Sequence, residues 1–417
     1  MKITNVKTIL LTGPCTLDPY LSEARKLRSV ALIRIETDSD LTGIGETYAG
    51  YFCPEIIPAI VEFFKPILIG NTVDNIPDLW GRMYHSGNFW CRVGLGAIVL
   101  CGIEAALWDL KGKQEGLPVW KLLKDKWQTD FLSSEHINNT YHTKLPCYAT
   151  GGPSNYPIDK LTGKIEYYIS LGFKGVKVGV GAYDKDKGFN IPEEPAAAAD
   201  FESGKAAYIR EQFGNDLWLM LDAHMGNSST TWGLETAIAV AQALEPYHLF
   251  FLEEPLHYTR PDLYSELRKH TRTPIAGGEC LTAVCEWQAF IEQDSFGIGQ
   301  PDASFTAGLD QFMQVAAMLH KRGQKIAPHA WGAGASQMQN IHCGFACPNT
   351  IILEVAPAYG PLHSELIGDS LQMKNGYVLR PETPGLGITL TEETISRFPF
   401  IPGTGEFNSV PGKILTT

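Results

Sequence analysis

The amino-acid sequence predicts an α/β protein in which a parallel (β/α) barrel follows a smaller α+β domain. From Leu145 onward, short apolar runs alternate with helical stretches, which is the pattern of βαβ units and a parallel sheet. Eight such runs are present, and eight strands close a (β/α) barrel. With 417 residues, the chain is long enough for this barrel, a second domain and a large buried core.

Strands and then helices are expected in the first part of the chain. The run VALIRIETDSDLTGIGET has two β-rich stretches around a polar turn and predicts a hairpin. From Glu55 to Leu123, apolar residues recur at helical spacing. We therefore expect an α+β domain over residues 1–125.

The barrel is expected over residues 126–356, and a C-terminal segment over residues 357–417. Proline- and glycine-rich stretches in this segment, PETPGLGITL and FPFIPGTGEF, predict that it folds back over the first domain. Residues Gly181 to Asp200 predict a polar, solvated insertion between the second strand and its helix. The eight expected strands are PCYATGG, GVKVGVG, LWLMLDAH, LFFLEEP, PIAGGE, FGIGQPD, KIAPHA and TIILEVA.

Composition and charge argue against several classes of partner. The net charge is −12 and no basic run is long enough to follow a phosphate backbone, which argues against nucleic acid. Neither a signal peptide nor a membrane-spanning segment is expected, so the predicted location is the cytoplasm. The nine cysteines lack close CxxC pairs and predict reduced core residues, such as Cys101, Cys343 and Cys347.

Seven of the eight expected strands carry a polar or ionisable residue at or just past the carboxyl end. Because a parallel barrel strand is buried on both faces, a charged side chain there either points into the barrel mouth or costs several kcal/mol. From the third strand onward these residues recur at steps of 23 to 31 residues, about one strand and one helix each. They therefore predict one site at the C-terminal mouth of the barrel. The seven residues are Lys177, Asp222, Glu253, Glu279, Asp302, His329 and Glu354.

Three of these residues predict a metal site. Asp222, Glu253 and Glu279 end three consecutive strands, so their carboxylates would repel one another without a cation. Oxygen ligands favour Mg²⁺, and three protein ligands leave positions for water and a substrate carboxylate. The alternative for each residue alone is a helix cap or a salt bridge. Side chains alternate along a strand, so only one of Glu253 and Glu254 is expected to face the pocket.

The remaining strand-end residues predict proton transfer. His329 and Asp302 end neighbouring strands, about 4.8 Å apart, and can form a hydrogen bond that makes His329 a general base. Glu354 is placed to hydrogen-bond a substrate carboxylate oxygen if it carries a proton, and Lys177 to neutralise the same oxygen. Either of these two residues could instead belong to a structural ion pair.

Several motifs together resemble the enolase superfamily, and specifically its mandelate racemase subgroup. GIGET and ALWDLKGKQEGLPVWKLL resemble the capping domain of that family, LDAH, FLEEP and GGE its three metal-ligand strands, and PGLGITL its closing tail. The resemblance implies a modified (β/α)7β TIM barrel, Mg²⁺ as cofactor and a homo-oligomer. It also implies specific roles: Asp222, Glu253 and Glu279 as ligands, Asp302 and His329 as the dyad, and Glu354 as the electrophilic acid.

One departure from the subgroup bears on the reaction. The second strand of the subgroup usually carries a KxK motif whose second lysine is a base, but here Lys177 is followed by Val178 and Gly179. A two-base racemase that acts through this lysine is therefore disfavoured. His224 could be a second acid or base, or could hydrogen-bond substrate hydroxyls.

With His329 as the evident base, the sequence predicts a dehydratase of a sugar acid, an aldonate or aldarate, that yields a 2-keto-3-deoxy acid. A cycloisomerase that expels an internal ether oxygen, and an epimerase that uses His224 and His329, remain open. So does a sugar-acid binding protein without activity. Tyr20, Tyr48 and Tyr51 lie in segments that resemble the mobile cap loops of the family and are candidates for substrate contact or for the domain interface.

Overall fold

A computed structural model of the chain describes residues 1–20, 27–131, 141–150, 158–184, 188–226, 232–332 and 334–403. Its N-terminal part is an antiparallel sheet of three strands packed against helices, as predicted. The packing is close because Gly43 and Gly45 lack side chains: a Cβ at either position would lie within 2.3 Å of a backbone oxygen in the longest helix. The strands are β1 (Ile3–Pro14), β2 (Leu27–Thr37) and β3 (Thr42–Thr47), and the helices are Ile57–Leu68, Ile76–Ser86, Leu95–Glu115 and Val119–Phe131.

The eight predicted barrel strands are all present and parallel. The last strand pairs with the first, and a bridge between Ile326 and Thr350 joins the last two, so the sheet closes. Within the described residues, seven α-helices separate the eight strands, which confirms the (β/α)7β barrel. The strands are β4 (Lys144–Thr150), β5 (Gly175–Gly179), β8 (Trp218–Asp222), β9 (Phe251–Glu253), β10 (Ile275–Gly277), β11 (Ile298–Gly299), β12 (Lys325–Ile326) and β13 (Leu353–Val355). The helices are Ile158–Ser170, Pro195–Phe213, Leu234–Ala243, Pro261–Lys269, Val284–Glu292, Leu309–Lys321 and Gly334–Ala346.

The predicted insertion between Gly181 and Asp200 is more ordered than its polarity suggested. It contains a hairpin of β6 (Ala182–Asp184) and β7 (Gly188–Asn190), and its last six residues begin the next helix at Pro195. Residues 185–187 lie outside the described part of the chain. Backbone pairing in the hairpin satisfies polar groups that a solvated loop would have left to water.

The C-terminal segment contacts both preceding parts of the molecule. A hairpin of β14 (Met373–Lys374) and β15 (Tyr377–Leu379) pairs with β4, and the chain then reaches the N-terminal sheet, where Pro399 bridges Leu11. The segment also contains the helices Pro361–Ile367 and Glu392–Arg397. The division into domains at residues 125 and 356 stays a prediction.

A small apolar cluster fixes the direction of the strand-end residues. It takes one buried residue from each of seven barrel strands and is separate from the main core. Alternate residues of a strand point to the same face, so a residue two positions later also points into the barrel. Four strand-end residues lie two positions after a member of this cluster and therefore point into the barrel mouth. They are Asp222 after Met220, Glu253 after Phe251, His329 after Ala327 and Glu354 after Ile352. The full cluster is Tyr148, Met220, Phe251, Ala276, Ile298, Ala327 and Ile352.

All nine cysteines are free thiols, as predicted, and Cys101, Cys343 and Cys347 are buried. The interpretation as core residues is wrong for Cys285, which is exposed. Within the described ranges, no single helix has the length and apolar composition to cross a membrane, whereas the bent pair Pro54–Leu68 and Val73–Ser86 meets both criteria together.

Candidate active site

Three carboxylates meet at the mouth of the barrel, on adjacent strands. Asp222 and Glu253 lie opposite each other in the register of β8 and β9, and Glu279 follows β10. One oxygen from each of the three lies within 4.8 Å of the others. Glu253 is fully buried, and its Oε2 accepts no hydrogen bond from the described residues. An all-oxygen donor set with such an atom fits a hard divalent cation.

Lys177 compensates part of this negative charge. Its Nζ lies 2.8 Å from Glu253 Oε1, 3.0 Å from Asp222 Oδ2 and 3.3 Å from Glu354 Oε1. Burial lowers the pKa of Lys177, but the three carboxylates outweigh burial and hold this pKa well above its usual value. Lys177 is therefore a fixed cation, paired with the predicted ligands themselves.

The pKa values of the two predicted metal ligands that Lys177 contacts are shifted in opposite directions. Burial, and then the neighbouring Asp222 carboxylate, raise the pKa of Glu253 well above its usual value. Burial also opposes ionisation of Asp222, but His224 and Lys177 lower the pKa of Asp222 on balance. A bound cation would oppose the burial and the repulsion that raise the pKa of Glu253, because it stabilises the ionised carboxylate.

The expected alternation between Glu253 and Glu254 is wrong. Glu254 has a φ of 41°, in the left-handed region, so the backbone turns and both carboxylates are buried near Glu279. Glu254, Glu279 and Cys280 form a second group whose ligand atoms lie within 4.8 Å. The Glu254 carboxylate occupies the space beside Gly226, where a Cβ would lie 2.4 Å from both of its oxygens.

His329 and Asp302 form the expected dyad, with His329 Nδ1 2.8 Å from Asp302 Oδ2. Because an ionised carboxylate only accepts hydrogen bonds, Nδ1 is the nitrogen that donates to Asp302, and Nε2 is the nitrogen left for other contacts. Nε2 lies 3.6 Å from Glu279 Oε2. Burial lowers the pKa of His329, but Glu279, Glu354 and Asp302 together raise it to about 10.

Glu354 closes the opposite side of the site. Its Oε2 accepts a 2.8 Å hydrogen bond from the backbone N–H of Ala330. Burial raises the pKa of Glu354, but Lys177 and His329 lower it below its usual value on balance. These neighbours favour the ionised form of Glu354, and its role as a proton-carrying partner of the substrate carboxylate stays a prediction.

His224 contacts the metal group through Asp222. Its Nε2 lies 3.1 Å from Asp222 Oδ2, and its side chain is 41% exposed. A φ of 51° at His224 turns the chain immediately after β8. Across the sheet from Asp222 lies Gly179, the residue that replaces the second lysine of the KxK motif.

Comparison with protein families shows which family this chain belongs to. Residues 161–394, more than half of the chain, match the family model described as enolase C-terminal domain-like. Residues 15–124 match the N-terminal domain of mandelate racemase and muconate lactonizing enzyme. The chain belongs to the mandelate racemase and muconate lactonizing enzyme family.

Relatives in the mandelate racemase and muconate lactonizing enzyme family carry names of two reaction types. Arabinonate dehydratase from Saccharolobus solfataricus is 28% identical over 372 residues, 88% of this chain and 90% of that protein. D-galactarolactone cycloisomerase from Agrobacterium fabrum is 27% identical over 413 residues, 95% and 99% of the two proteins. The solved 3,6-anhydro-D-galactonate cycloisomerase from Zobellia galactanivorans is 25% identical, with a TM-score of 0.77 over 95% of this chain and 99% of that one.

The three candidate tyrosines lie in different surroundings. The Tyr48 ring centroid is 5.8 Å from that of His329, which places Tyr48 beside the dyad. Tyr51 is buried and donates a 2.7 Å hydrogen bond to Glu46 Oε1, and the Tyr20 ring packs against Tyr167. Tyr48 is therefore the strongest candidate of the three for substrate contact, because its ring packs against the predicted base.

Two residues that support the dyad were not predicted from the sequence. Ser304 and Asn340 both donate hydrogen bonds to Asp302 Oδ1. The signal for Asn340 is the polar run SQMQN at the start of the helix after His329. Its polarity would suggest a position at the surface, whereas the run is buried and forms hydrogen bonds with Glu46 of the N-terminal sheet and with Asp302 of the barrel.

Proposed function

We propose that the protein is a Mg²⁺-dependent sugar-acid dehydratase that acts on an aldonate or aldarate. One observation carries this proposal: the His329–Asp302 dyad lies beside the carboxylate group, and Gly179 stands where a second lysine base would be. The dehydratase names among relatives support the same reaction type.

Each step uses a residue of this chain. Asp222, Glu253 and Glu279 would hold Mg²⁺, which neutralises the charge that develops on a substrate carboxylate when an adjacent proton is removed. Nε2 of neutral His329 takes the proton from C2, and the electron pair of the C–H bond moves toward the carboxylate to form an enediolate. Glu279 is one of the carboxylates that raise the pKa of His329, and a bound cation would offset its charge. Lys177 supplies a fixed positive charge beside this group.

Elimination completes the reaction. The electron pair of the enediolate forms a C2–C3 double bond, the C3–O bond breaks, and the hydroxyl leaves as water with the proton that His329 holds. The resulting enol tautomerises to a 2-keto-3-deoxy acid. Proton removal and return by one residue imply a syn elimination.

The test is incubation with a panel of aldonates and aldarates in Mg²⁺, scored for 2-keto acid and, in deuterated water, for deuterium at C2. A keto product from at least one acid is expected. Deuterium at C2 without a keto product would contradict the dehydratase and indicate an epimerase. Absence of any reaction would favour a sugar-acid binding protein.

A cycloisomerase is the second candidate, supported by the named cycloisomerases among the relatives. It needs the same base and metal group, but the leaving oxygen belongs to an internal ring of the substrate. Anhydro- and lactone-type sugar acids added to the panel distinguish the two reactions. If only these acids are turned over, the protein is a cycloisomerase and not a dehydratase.

A cytoplasmic location and a homo-oligomeric state are also inferred, from the sequence and from the family resemblance. Light scattering of the purified protein measures the subunit number. Fractionation of the source cells measures the location. A monomer, or recovery outside the cytoplasm, contradicts these inferences.

A further inference from the structure

The helix Gly334–Ala346, which follows the strand that bears His329, begins with buried polar side chains. Ser336, Gln337, Gln339 and Asn340 are each at most 1% exposed. A buried polar group without a hydrogen bond costs about 1–3 kcal/mol, so each of these side chains is expected to bond a defined partner. The hydrogen-bond partners of these side chains show which parts of the molecule this helix holds in place.

Asn340 holds both the side chain and the backbone of the dyad segment. Its Nδ2 donates to Asp302 Oδ1 at 2.8 Å and to the carbonyl of Ser336 at 3.1 Å. Its Oδ1 accepts from the backbone N–H of Ala303 at 2.8 Å. Because a donor and an acceptor are both required, only one orientation of the amide satisfies all three bonds.

These bonds fix the Asp302 carboxylate. Oδ1 accepts from Asn340 and from the N–H and Oγ of Ser304, whereas Oδ2 is left for His329 Nδ1. Ser304 lies on the same loop as Asp302 and moves with it. Asn340 is the donor that comes from a separate helix, so it is the one that fixes the carboxylate relative to the rest of the barrel.

We propose that Asn340 is a positioning residue of the proton-transfer dyad, an inference that rests on the proposed role of His329 as the base. By holding Asp302, Asn340 keeps His329 Nδ1 directed at Asp302 and Nε2 directed toward Glu279 and the site. Asn340 itself does not touch substrate in this role and acts through Asp302.

Gln339 offers a matched control on the same helix. It is as buried as Asn340, accepts a 2.7 Å hydrogen bond from Glu46 N and donates a 3.2 Å one to Glu46 O. Glu46 belongs to the N-terminal sheet. Loss of the Gln339 amide therefore removes buried hydrogen bonds from the same helix without releasing the dyad.

The first experiment compares Asn340→Leu with Gln339→Met in kcat, KM and melting temperature. Similar losses of melting temperature are expected, because each variant loses buried hydrogen bonds. In Asn340→Leu we expect kcat to fall about 10- to 100-fold with KM within about 3-fold, the size of effect seen when a catalytic group is slightly misplaced. An unchanged kcat in Asn340→Leu, or an equal loss in Gln339→Met, would overturn the proposal.

A double-mutant cycle tests whether Asn340 acts through Asp302. In an Asp302→Ala background, Asn340→Leu should cause no further loss of kcat. An additional loss equal to that in the wild-type background would show that Asn340 acts independently of Asp302 and would refute the proposal.

A measurement without turnover separates this proposal from the proposed function. In ¹⁵N NMR of the full-length protein, the Nδ1–H signal of His329 should be hydrogen-bonded in the wild type and in Gln339→Met, and altered in Asn340→Leu. This result can be obtained even if no sugar acid reacts, in which case the proposed function alone fails. An identical His329 signal in all three proteins would overturn the positioning role.

Discussion

Lys177 shows how single residues set the charge of this site. Its ammonium contacts three buried carboxylates, and each contact lies between 2.8 and 3.3 Å. A buried charge is tolerated only when it is paired, so the lysine and the acids depend on one another. Lys177 was predicted to neutralise a substrate oxygen, and its contacts in the structure add a second role, because the same ammonium holds the acids together.

The first prediction concerns the base. His329→Asn removes the imidazole but keeps a polar side chain, and we expect turnover of the active acid to become undetectable while Mg²⁺ still binds. Kinetics together with calorimetric titration of Mg²⁺ measure the two effects. Activity near the wild-type level would exclude His329 as the base.

The second prediction separates the two acid groups that share Glu279. If Mg²⁺ lies among Asp222, Glu253 and Glu279, Glu253→Gln should weaken Mg²⁺ binding by at least about 10-fold, because it loses an anionic ligand. Glu254→Gln is the matched control and should have a smaller effect. Equal or reversed effects in calorimetric titration would assign the metal to the group that contains Glu254.

At the scale of elements, the N-terminal domain supplies an acid to the barrel helix that follows Asp302. Glu104, from the helix Leu95–Glu115, directs Oε2 at the backbone N–H of Asp310, in the first turn of the helix Leu309–Lys321. A carboxylate is favourable at a helix N-terminus. Glu104 is fully buried, so the contact forms inside the molecule, where burial and then the Asp310 carboxylate raise the pKa of Glu104 well above its usual value.

The third prediction tests this junction through Gly308. Its φ is 133°, and a Cβ there would lie 1.9 Å from Glu104 Oε2. Gly308→Ala is therefore expected to lower the free energy of unfolding by at least about 2 kcal/mol, from backbone strain and displacement of Glu104. Urea unfolding measures the change.

Gly233→Ala is the control for that substitution. Gly233 also precedes a helix, but its φ is −73° and a Cβ there meets no described atom within 4 Å. The expected cost is below about 1 kcal/mol. Equal losses in both variants would show that the Glu104 contact is not the cause.

At the scale of the whole molecule, His342 joins all three parts of the chain. It lies on the barrel helix Gly334–Ala346, and its Nδ1 accepts a 3.0 Å hydrogen bond from the N–H of Trp120 in the N-terminal part. The Trp120 ring in turn donates to the carbonyl of Pro381 in the C-terminal segment at 2.7 Å. Burial lowers the pKa of His342 to about 3.

The fourth prediction follows from that pKa. The folded protein binds the His342 proton only near pH 3, whereas the unfolded chain binds it near pH 6.5, so stability is full above 6.5 and falls as the pH falls toward 3. The loss from this residue is about 1.4 kcal/mol for each pH unit in that window.

His342→Asn should be less stable than the wild type at neutral pH but should lose less stability between pH 6.5 and 4. Denaturant unfolding at several pH values measures the slope. His363, also buried with a lowered pKa, keeps part of the dependence in the variant. A variant with the wild-type slope would contradict the assignment to His342.

The fold and the seven strand-end residues were predictable because periodicity and spacing are local properties of a sequence. Eight apolar runs, seven of them followed by a polar or ionisable residue, could form one closed barrel with a polar mouth, and the structure brings these seven residues together there. The turn of the backbone at Glu254, the contact of Glu354 with Lys177 and the hairpin within residues 181–200 could not be predicted. Each depends on neighbours that the spacing does not specify.

The sequence by itself determined which residue types end the strands, and hence that a hard cation, a histidine base and a single-sided reaction are chemically suited to this chain. Only the tertiary structure decided how those groups are held: Lys177 among three acids, Asn340 on Asp302, and Glu104 at the start of a barrel helix. These contacts join residues 38 to 206 positions apart. Hydrogen bonds and buried charges depend on distances of a few ångströms, which are set by the packing of the barrel and not by the order of residues along the chain.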